Sequence, residues 1–327
     1  MNVTFIDPPN VLGKQNFERV FGCTFSLYPI PNIFVLTHAA VLRQDGFGVA
    51  YVDMANEKMR KPSEFFARDT SDVYCIYAIN LSRESDVAVR HLIRTERPGI
   101  PVIFLGPAPT LAPQDFVSDD SLVVRGESEY SLLDCVRCLR DGRSLHDVRG
   151  VSFQDQGSMR ENPARDLIEN IDELPFPARD LLKGSLYYNP KLGSTPFTAV
   201  QTSRNCSHRC SFCVPNSFNF ARELEFKRFH EDAKPPVRMR SAKNVVDEFR
   251  LLQAQGYKAV SIIDDQFLWD EPRTREICEG IKGLGIRWGC LARADRITAQ
   301  TATAMKEAGC VYIDLGVESF CQDVLND

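Results

Sequence analysis

Short apolar segments alternate with helix-forming stretches along the first 145 residues, and this alternation is the strongest constraint on what the chain can fold into. The segments end at glycine, proline, aspartate or asparagine, and the stretches between them carry apolar residues at helical spacing. The predicted strands are 3–7, 49–53, 73–79, 101–106 and 122–126, and the predicted helices are 33–43, 86–94 and 130–140. This pattern is typical of an α/β fold with a doubly wound parallel sheet.

Polar and glycine residues stand where these predicted strands end. In doubly wound sheets, ligands bind in the crevice outside the carboxyl ends of the strands. We therefore expect a binding site in the first half of the chain that includes Asp7, Pro8, Ser82, Gly106, Gly126 and Glu127.

The alternation resumes at residue 196, after a connector. The predicted strands are 196–202, 259–263, 287–293 and 311–318, and the helix 245–255 carries an apolar face of Val245, Val246, Phe249 and Leu252. In barrels of parallel strands, the active-site groups lie on the loops after the strands. The candidate polar residues at these positions are Asp264, Asp265, Arg293 and Glu318.

A loop with three cysteines follows the first strand of this half. Cys206, Cys210 and Cys213 have the spacing C-x3-C-x2-C, which allows three thiolates to bind three irons of a cubane cluster. Cubane clusters usually take four cysteines. A loop that supplies three leaves the fourth iron open for a ligand that is also a substrate.

Two other interpretations of these cysteines exist. His208 lies inside the loop and would complete a Cys3His zinc site, although no second pair with metal-site spacing follows. Disulfides are disfavoured, because the chain has an odd total of 11 cysteines, several of them in apolar runs. That usage fits a reducing, cytoplasmic compartment.

Residues 146–195 form the connector between the two halves. Segments 151–153 and 160–162 flank Asp155-Gln156-Gly157 and predict a hairpin. The proline-interrupted stretch 172–180 predicts an extended linker. The expected domains are thus 1–145, the connector 146–195, and 196–327.

The cysteine run, with Phe212 just before its last cysteine, resembles the signature of the radical SAM (S-adenosylmethionine) enzymes. The strand order that follows it resembles their partial (β/α) barrel. The resemblance implies a 4Fe-4S cluster on Cys206, Cys210 and Cys213, with SAM bound at the open iron. It also implies a small-molecule substrate and an electron donor such as ferredoxin or flavodoxin.

The resemblance further suggests roles in SAM binding. Asp264 and Asp265 would accept hydrogen bonds from the ammonium group of SAM, and Arg293 would pair with its carboxylate. Glu318 would bind the ribose hydroxyls, and Phe212 would pack over the cluster and exclude water. The alternatives are that Asp264 only caps the following helix and that Arg293 only pairs with Asp295.

Residues 1–145 resemble the cobalamin-binding domain that precedes many radical SAM enzymes. The resemblance rests on the Asp-Pro-Pro opening at 7–9, the segment 46–53 and the Arg-Gly-Glu-x-Glu turn at 125–129. Two features depart from the pattern: no D-x-H-x-x-G element follows the first strand, and Gly106-Pro107 replaces the usual Gly-Gly. The expectation is cobalamin held without a histidine below the cobalt, or else a related fold that does not bind it.

The composition of the chain disfavours two kinds of partner, nucleic acids and a membrane that the chain would span. The net charge is −5 and no long basic stripe occurs, which disfavours a nucleic-acid surface. No apolar run approaches the roughly 18 residues needed to span a bilayer.

Three functional hypotheses follow. The first is a cobalamin-dependent radical SAM enzyme that transfers a methyl group or, like the anaerobic porphyrin ester cyclases, closes a ring. The second is a radical SAM enzyme without cobalamin, and the third is an inactive binding or assembly protein. The family's barrel usually has six strands, so a chain with four is expected to be C-terminally truncated and to bind SAM weakly.

Overall fold

A computed structural model of the protein describes residues 1–13, 15–21, 28–59, 61–183, 186–208, 225–231 and 233–326. These residues form two compact units. The first unit contains the described residues of 1–169, 174–182 and 225–235, and the second contains those of 170–173, 183–208 and 236–326.

The first unit is built on a seven-stranded sheet in the order β2-β1-β3-β4-β5-β6-β7. The strands are β1 (Asn2–Asp7), β2 (Gly48–Asp53), β3 (Val73–Tyr77), β4 (Val102–Leu105), β5 (Ser121–Val124), β6 (Val151–Asp155) and β7 (Ser158–Glu161). The first five strands pair in parallel. The near-continuous apolar sequences of β3 and β4 follow from burial on both faces of the sheet.

Helices cover both faces of this sheet. They are α1 (Ile33–Gln44), α2 (Pro62–Phe66), α3 (Arg83–Glu96), α4 (Pro107–Leu111) and α5 (Glu129–Asp141). Ile76 and Phe104 point to one face and pack with Val89 of α3. Tyr77 points to the other face, where its ring centroid lies 6.0 Å from that of Phe34 in α1. The predicted doubly wound α/β fold is confirmed.

The predicted hairpin around residues 155–157 is present as β6 and β7. It is antiparallel, and β6 also pairs with β5, so the hairpin extends the first sheet. Short 3-10 turns occupy both ends of the stretch 172–180, over Ile171–Glu173 and Arg179–Leu181, and only residues 175–178 between them have no assigned turn or helix. The extended linker predicted for the whole stretch is therefore interrupted at both ends.

The second unit contains a four-stranded parallel sheet in the order β13-β12-β11-β8. Its strands are β8 (Phe197–Val200), β11 (Ala259–Ile262), β12 (Arg287–Arg293) and β13 (Cys310–Gly316). Two short strands, β9 (Ser203–Arg204) and β10 (Arg238–Met239), form a separate antiparallel pair. The strand order is that expected for the first four strands of a partial barrel.

The helices of the second unit are α6 (Ala242–Ala254), α7 (Glu271–Ile281), α8 (Ala299–Glu307) and α9 (Gln322–Asn326). Ser241, Asp270 and Thr298 accept hydrogen bonds from the first turns of α6, α7 and α8, which fixes where each helix begins. Among the described residues, no helix combines the length and the apolar character needed to cross a membrane.

One face of the four-stranded sheet packs against these helices. The predicted apolar face of α6 is buried there, with Phe249 and Leu252 fully inaccessible. Trp288 is also fully buried, and its indole N–H donates to the carbonyl of Ala308 at 2.9 Å. The indole is thereby both packed and hydrogen-bonded, as buried tryptophans usually are.

The other face of this sheet carries a polar contact. The hydroxyls of Ser261 and Tyr312 lie 3.1 Å apart, and the Asn189 amide donates to both, at 3.0 and 3.1 Å. The Tyr312 ring lies directly over Gly289, where a Cβ atom would come within 2.3 Å of it. The absence of a side chain at 289 is therefore what permits the ring to lie flat on β12.

Replacement of Gly289 by Ala is expected to destabilise the protein by about 1–3 kcal/mol, because the Tyr312 ring is held by two polar partners and has to move. The measurement is urea unfolding followed by circular dichroism. As a control, the same change in a Tyr312→Ala background is expected to cost little, since the ring is gone. An equal cost in both backgrounds would contradict the steric explanation.

Candidate functional site

The base of the cysteine loop is closed by the pair β9 and β10. Ser203 and Arg204 on the way into the loop pair with Met239 and Arg238 on the way out. Asn205 follows at a φ of 73°, and its side-chain oxygen accepts a hydrogen bond from Arg238 at 2.8 Å. The partly buried Cys206 comes next. Cys210, Phe212 and Cys213 lie outside the described residues.

Asp264 fixes the chain just before this loop. Its carboxylate accepts hydrogen bonds from the backbone N–H and the hydroxyl of Thr202, both at 2.5 Å, and from the Ser203 hydroxyl at 2.8 Å. Burial raises the pKa of Asp264, against the lowering effect of these hydrogen bonds. Asp270, and not Asp264, caps the helix that follows. Asp264 is thus already engaged with residues 202–203, and its role toward SAM stays a prediction.

Two arginines, Arg240 and Arg273, also donate hydrogen bonds to the backbone of residues 201–202. The carbonyl of Thr202 accepts from the Arg240 backbone N–H and from the Arg273 guanidinium, both at 2.9 Å. Arg240 also donates to the carbonyl of Gln201 at 2.8 Å and forms an ion pair with the buried Glu248 at 2.5 Å. No sequence pattern marks these residues, because they contact the loop from elements distant along the chain.

The other predicted SAM ligands lie beyond the carboxyl ends of neighbouring parallel strands. Asp265 follows β11 and is partly buried, Arg293 ends β12, and Glu318 follows β13. Because these strands are parallel, the three residues come to one edge of the same sheet.

Two of these residues remain accessible. Arg293 is 35% exposed, and its guanidinium pairs with Asp295 at 2.9 and 3.0 Å. Its backbone N–H donates to the buried Gln266 side chain at 2.8 Å, which holds the end of β12 in place. Glu318 is exposed, with a φ of 62°. A Cβ atom at Gly316 would lie 2.7 Å from a Glu318 carboxylate oxygen, so a side chain at 316 would displace the flexible end of Glu318.

His208, the residue considered as a zinc ligand, has an aromatic neighbour. Its ring stacks on the Trp269 indole, with centroids 6.0 Å apart and planes 19° apart. This contact packs the imidazole against the segment that follows β11.

Asp7 is buried at the carboxyl end of β1 in the first unit. Its carboxylate accepts a hydrogen bond from the Tyr51 hydroxyl at 2.8 Å and lies 3.4–3.5 Å from the Asn32 amide. Burial raises the pKa of Asp7 to about 7, with a further contribution from nearby Asp53 and an opposing one from Arg19. The fold therefore places a carboxyl that titrates near neutral pH at the sheet's carboxyl edge.

Arg19 connects the segments that follow β1 and β3 of the first sheet. It forms a buried, two-pronged ion pair with Asp86 at 2.8 and 2.9 Å. It also donates to the Ser82 hydroxyl at 3.2 Å and to the carbonyl of Pro8 at 3.3 Å. Of the predicted ligand residues, Pro8 and Ser82 are thus brought to one guanidinium. No pattern in the sequence marked Arg19 or Asp86, because neither follows a strand directly.

The remaining predicted residues of the first unit are engaged within it. Gly106 has a φ of 98°, and a Cβ atom there would lie 2.7 Å from the carbonyl oxygen of Ala78. Gly126 donates its N–H to the Thr110 hydroxyl at 3.0 Å, and Glu127 accepts from the backbone of Ile168 at 2.7 Å. The Gly126–Thr110 contact ties together the segments that follow β4 and β5, and the Glu127–Ile168 contact ties the segment after β5 to the connector.

The amino-acid sequence of the chain matches a known protein family. Residues 200–327 match the model of the radical SAM superfamily. Over 99% of its length, the chain is 32% identical to an uncharacterized methyltransferase, PH0819, of Pyrococcus horikoshii, and the match covers 67% of that protein. The chain belongs to the radical SAM superfamily.

Two further comparisons agree with this membership. The chain is 26% identical to the cytidylyl-2-hydroxyethylphosphonate methyltransferase of Streptomyces wedmorensis, over 66% of this chain and 44% of that protein. The radical SAM methyltransferase TsrM of Kitasatospora setae shares the fold, with a TM-score of 0.73 at 16% identity, over 99% of this chain and 60% of that one. The chain therefore spans about two thirds of the first relative and a smaller part of the others.

Membership in the superfamily confirms the predicted family and class of enzyme. It implies a 4Fe-4S cluster and SAM as cofactors. The individual ligands, Cys206, Cys210 and Cys213 for the cluster and Asp265, Arg293 and Glu318 for SAM, stay predictions.

The raised pKa of Asp7 predicts a pH-dependent stability. Between its ordinary value of 3.8 and about 7, the folded chain holds a proton on Asp7 that the unfolded chain releases, so the stability contributed by this group falls as pH rises through that window. The free energy of unfolding of Asp7→Asn, taken relative to that of wild type, should therefore rise with pH. The rise is at most about 1.4 kcal/mol per pH unit and then levels off.

The measurement is urea unfolding at several pH values across that window. Asp119→Asn, at an exposed aspartate, is the control and should follow the wild-type pH dependence. Parallel pH profiles for wild type and Asp7→Asn would contradict the assignment.

Proposed function

We propose that this chain is the cobalamin-binding and SAM-cleaving part of a radical SAM methyltransferase that acts on a small molecule. The observation that carries the proposal is the cysteine loop, closed at its base by β9 and β10 and fixed by Asp264, in a chain that belongs to the radical SAM superfamily. When bound, the reduced cluster supplies the electron that cleaves SAM, and cobalamin supplies a transferable methyl group.

The cluster ligands are Cys206, Cys210 and Cys213. Three thiols within eight residues fit a cubane with one open iron, since each thiolate binds one iron. The hydrogen bonds to residues 202–205 hold the chain in place just before the first ligand. Asp264 acts here as a positioning residue for the loop.

The proposed SAM ligands are the polar residues that lie at the carboxyl ends of neighbouring parallel strands, Asp265, Arg293 and Glu318. Asp265 accepts from the ammonium group of SAM and Glu318 from its ribose hydroxyls. Arg293 binds the carboxylate of SAM in place of Asp295. This exchange costs little, because the Arg293–Asp295 pair is solvent-exposed and such pairs contribute about 0–1 kcal/mol.

Cobalamin binds at the carboxyl ends of the first sheet, where β1 and β3 are neighbours and the strand order reverses direction. Residues 8–31, which follow β1, contain no histidine. That loop therefore offers no imidazole to the cobalt. The cofactor would be held by contacts to the periphery of its ring. TsrM, which shares the fold, is described with cobalamin and a 4Fe-4S cluster bound.

The division into a cobalamin domain (1–145), a connector (146–195) and a radical SAM core (196–327) belongs to the same proposal. The reductant would be a small electron carrier such as ferredoxin or flavodoxin. A reducing cytoplasm suits both the cluster and the free buried thiols.

Anaerobic reconstitution tests the cluster. Wild type is expected to hold about four irons and four sulfides per chain and to form 5′-deoxyadenosine from SAM with dithionite. Each of Cys206→Ala, Cys210→Ala and Cys213→Ala should abolish both, because a cubane with two protein ligands is not retained. Cys321→Ala removes an exposed thiol and should behave as wild type. An equal requirement for Cys278, Cys290 or Cys310 would contradict the open-iron assignment.

Cobalt spectroscopy tests the cofactor of the first unit. Hydroxocobalamin should stay with the protein through gel filtration, and the reduced Co(II) form should show no nitrogen coupling from an axial imidazole. The reason is the lack of a histidine in residues 8–31. Imidazole coupling that disappears in one of five single variants, at His38, His91, His146, His208 or His230, would overturn the prediction. Absence of binding would favour a radical SAM enzyme that uses the first unit as a scaffold.

A further inference from the structure

Two cysteines of the second unit lie on neighbouring strands. Cys290 is in β12 and is fully buried, whereas Cys310 is the first residue of β13 and keeps part of its surface accessible. The two strands are parallel, and Cys310 pairs with Trp288, two residues before Cys290. Because side chains alternate between the two faces of a strand, Cys290 and Cys310 lie on the same face of the sheet.

The two thiols are in contact on that face. They form a hydrogen bond with each other, and both side chains pack in the apolar core between the sheet and its helices. As a thiol, Cys310 also donates to the carbonyl of Tyr312 at 3.4 Å. Two adjacent thiols have an oxidation product that a single thiol lacks, an internal disulfide.

The surroundings make the two thiols chemically unequal. The hydrogen bond with Cys290 lowers the pKa of Cys310, against the raising effect of burial. The same hydrogen bond and burial raise the pKa of Cys290 well above its ordinary value. The thiolate is the nucleophilic form, so Cys310 supplies the reactive sulfur and Cys290 stays a thiol. Redox-sensitive cysteines combine the same features, a lowered pKa, partial exposure and a neighbouring thiol.

A third cysteine, Cys278 of α7, packs in the same core. Burial raises the pKa of its thiol to about 12, so it is a poor nucleophile. Among the residues that the structure describes, no three histidine, cysteine or acidic side chains are grouped as a metal site requires. The chemistry of this cluster is therefore that of the pair Cys290 and Cys310.

We propose that Cys310 and Cys290 form a peroxide-sensitive thiol pair, in which Cys310 is oxidised first and Cys290 then closes a disulfide between β12 and β13. The Cys310 thiolate attacks one oxygen of hydrogen peroxide and breaks the O–O bond. A sulfenic acid forms on Cys310, and the other oxygen leaves as hydroxide and takes up a proton to give water. The Cys290 thiol then attacks that sulfur, the S–S bond forms, and the sulfenic oxygen leaves as a second water. Two thiols thus lose two electrons to one peroxide.

The position of β13 makes this bond attainable. In the part of the chain that the structure describes, β13 pairs only with β12, and the register between the two strands shifts between Trp288 and Gly289. The sulfurs have to approach to about 2 Å, and β13 can follow without breaking a second ladder.

The second step protects Cys310. A sulfenic acid without a neighbouring thiol is oxidised further to sulfinic acid, which is irreversible, whereas a disulfide is restored to two thiols by a reductant. Neither cysteine is a proposed cluster ligand, so the inference holds whether or not the chain binds a cluster.

Peptide mapping tests the pair in the full chain carrying Cys321→Ala. Trypsin releases Cys290 in residues 288–293 and Cys310 in residues 307–327, and the substitution leaves Cys310 as the one cysteine of its peptide. The reduced, cluster-free protein is treated with increasing hydrogen peroxide, the remaining thiols are alkylated, and the digest is analysed by mass spectrometry. We expect a disulfide that joins these two peptides and that dithiothreitol reverses.

The same map gives the order of reactivity. Cys310 should be consumed at least about tenfold faster than Cys278, because the thiolate fraction falls tenfold for each unit by which a pKa is raised. A Cys310 that stays unmodified while Cys278 reacts, or that is joined to Cys278 instead of Cys290, would overturn the proposal.

Two further variants separate the roles of the thiols. With Cys290→Ala added, oxidation of Cys310 should stop at the sulfenic acid, which dimedone traps, and the joined peptide should be lost. Cys278→Ala removes another thiol of the same core as a matched control and should leave the joined peptide unchanged. Equal trapping of Cys310 with and without Cys290 would contradict the role given to Cys290. If Cys290→Ala fails to fold, the peptide map of the Cys321→Ala protein decides alone.

Discussion

Because β1 to β5 run in parallel, their carboxyl ends reach one edge of the first sheet, and every strand needs a helical return before the next begins. The same holds for β8, β11, β12 and β13 in the second unit. This one constraint decides which residues meet. Groups separated by tens of residues along the chain come together only because each follows a strand of the same direction.

Polar groups at these edges divide into two kinds. Asp264, Arg19 and Asp86 are buried, and their hydrogen bonds run to neighbouring backbone and side chains. Such groups hold loops in place, because breaking a buried pair leaves an uncompensated charge. Arg293 and Glu318 are accessible, and the ion pair of Arg293 is weak enough to exchange for a ligand. Burial, and not residue type, therefore separates the residues that brace the loops from Arg293 and Glu318, which are proposed to bind SAM.

Residues of the first kind brace the chain where it enters the cysteine loop. A run of thiols binds irons only if the chain holds the thiols at suitable spacing, and hydrogen bonds from residues around the ligands usually provide this. Here Asp264 and Arg238 hold the residues just before the first cysteine. The chain belongs to the radical SAM superfamily, and holding the cluster proposed on these cysteines would be the purpose of this arrangement.

The sequence by itself determined the fold class, nearly every strand of both sheets and the hairpin at 155–157, because apolar periodicity and turn residues are local signals. It also determined the cysteine motif and hence the family. Only the tertiary structure decided that Asp264 braces residues 202–203 and that Arg19 joins Pro8 to Ser82. These contacts link residues between 11 and 63 positions apart. No local pattern encodes them, since they depend on which strand ends the parallel ladders bring side by side.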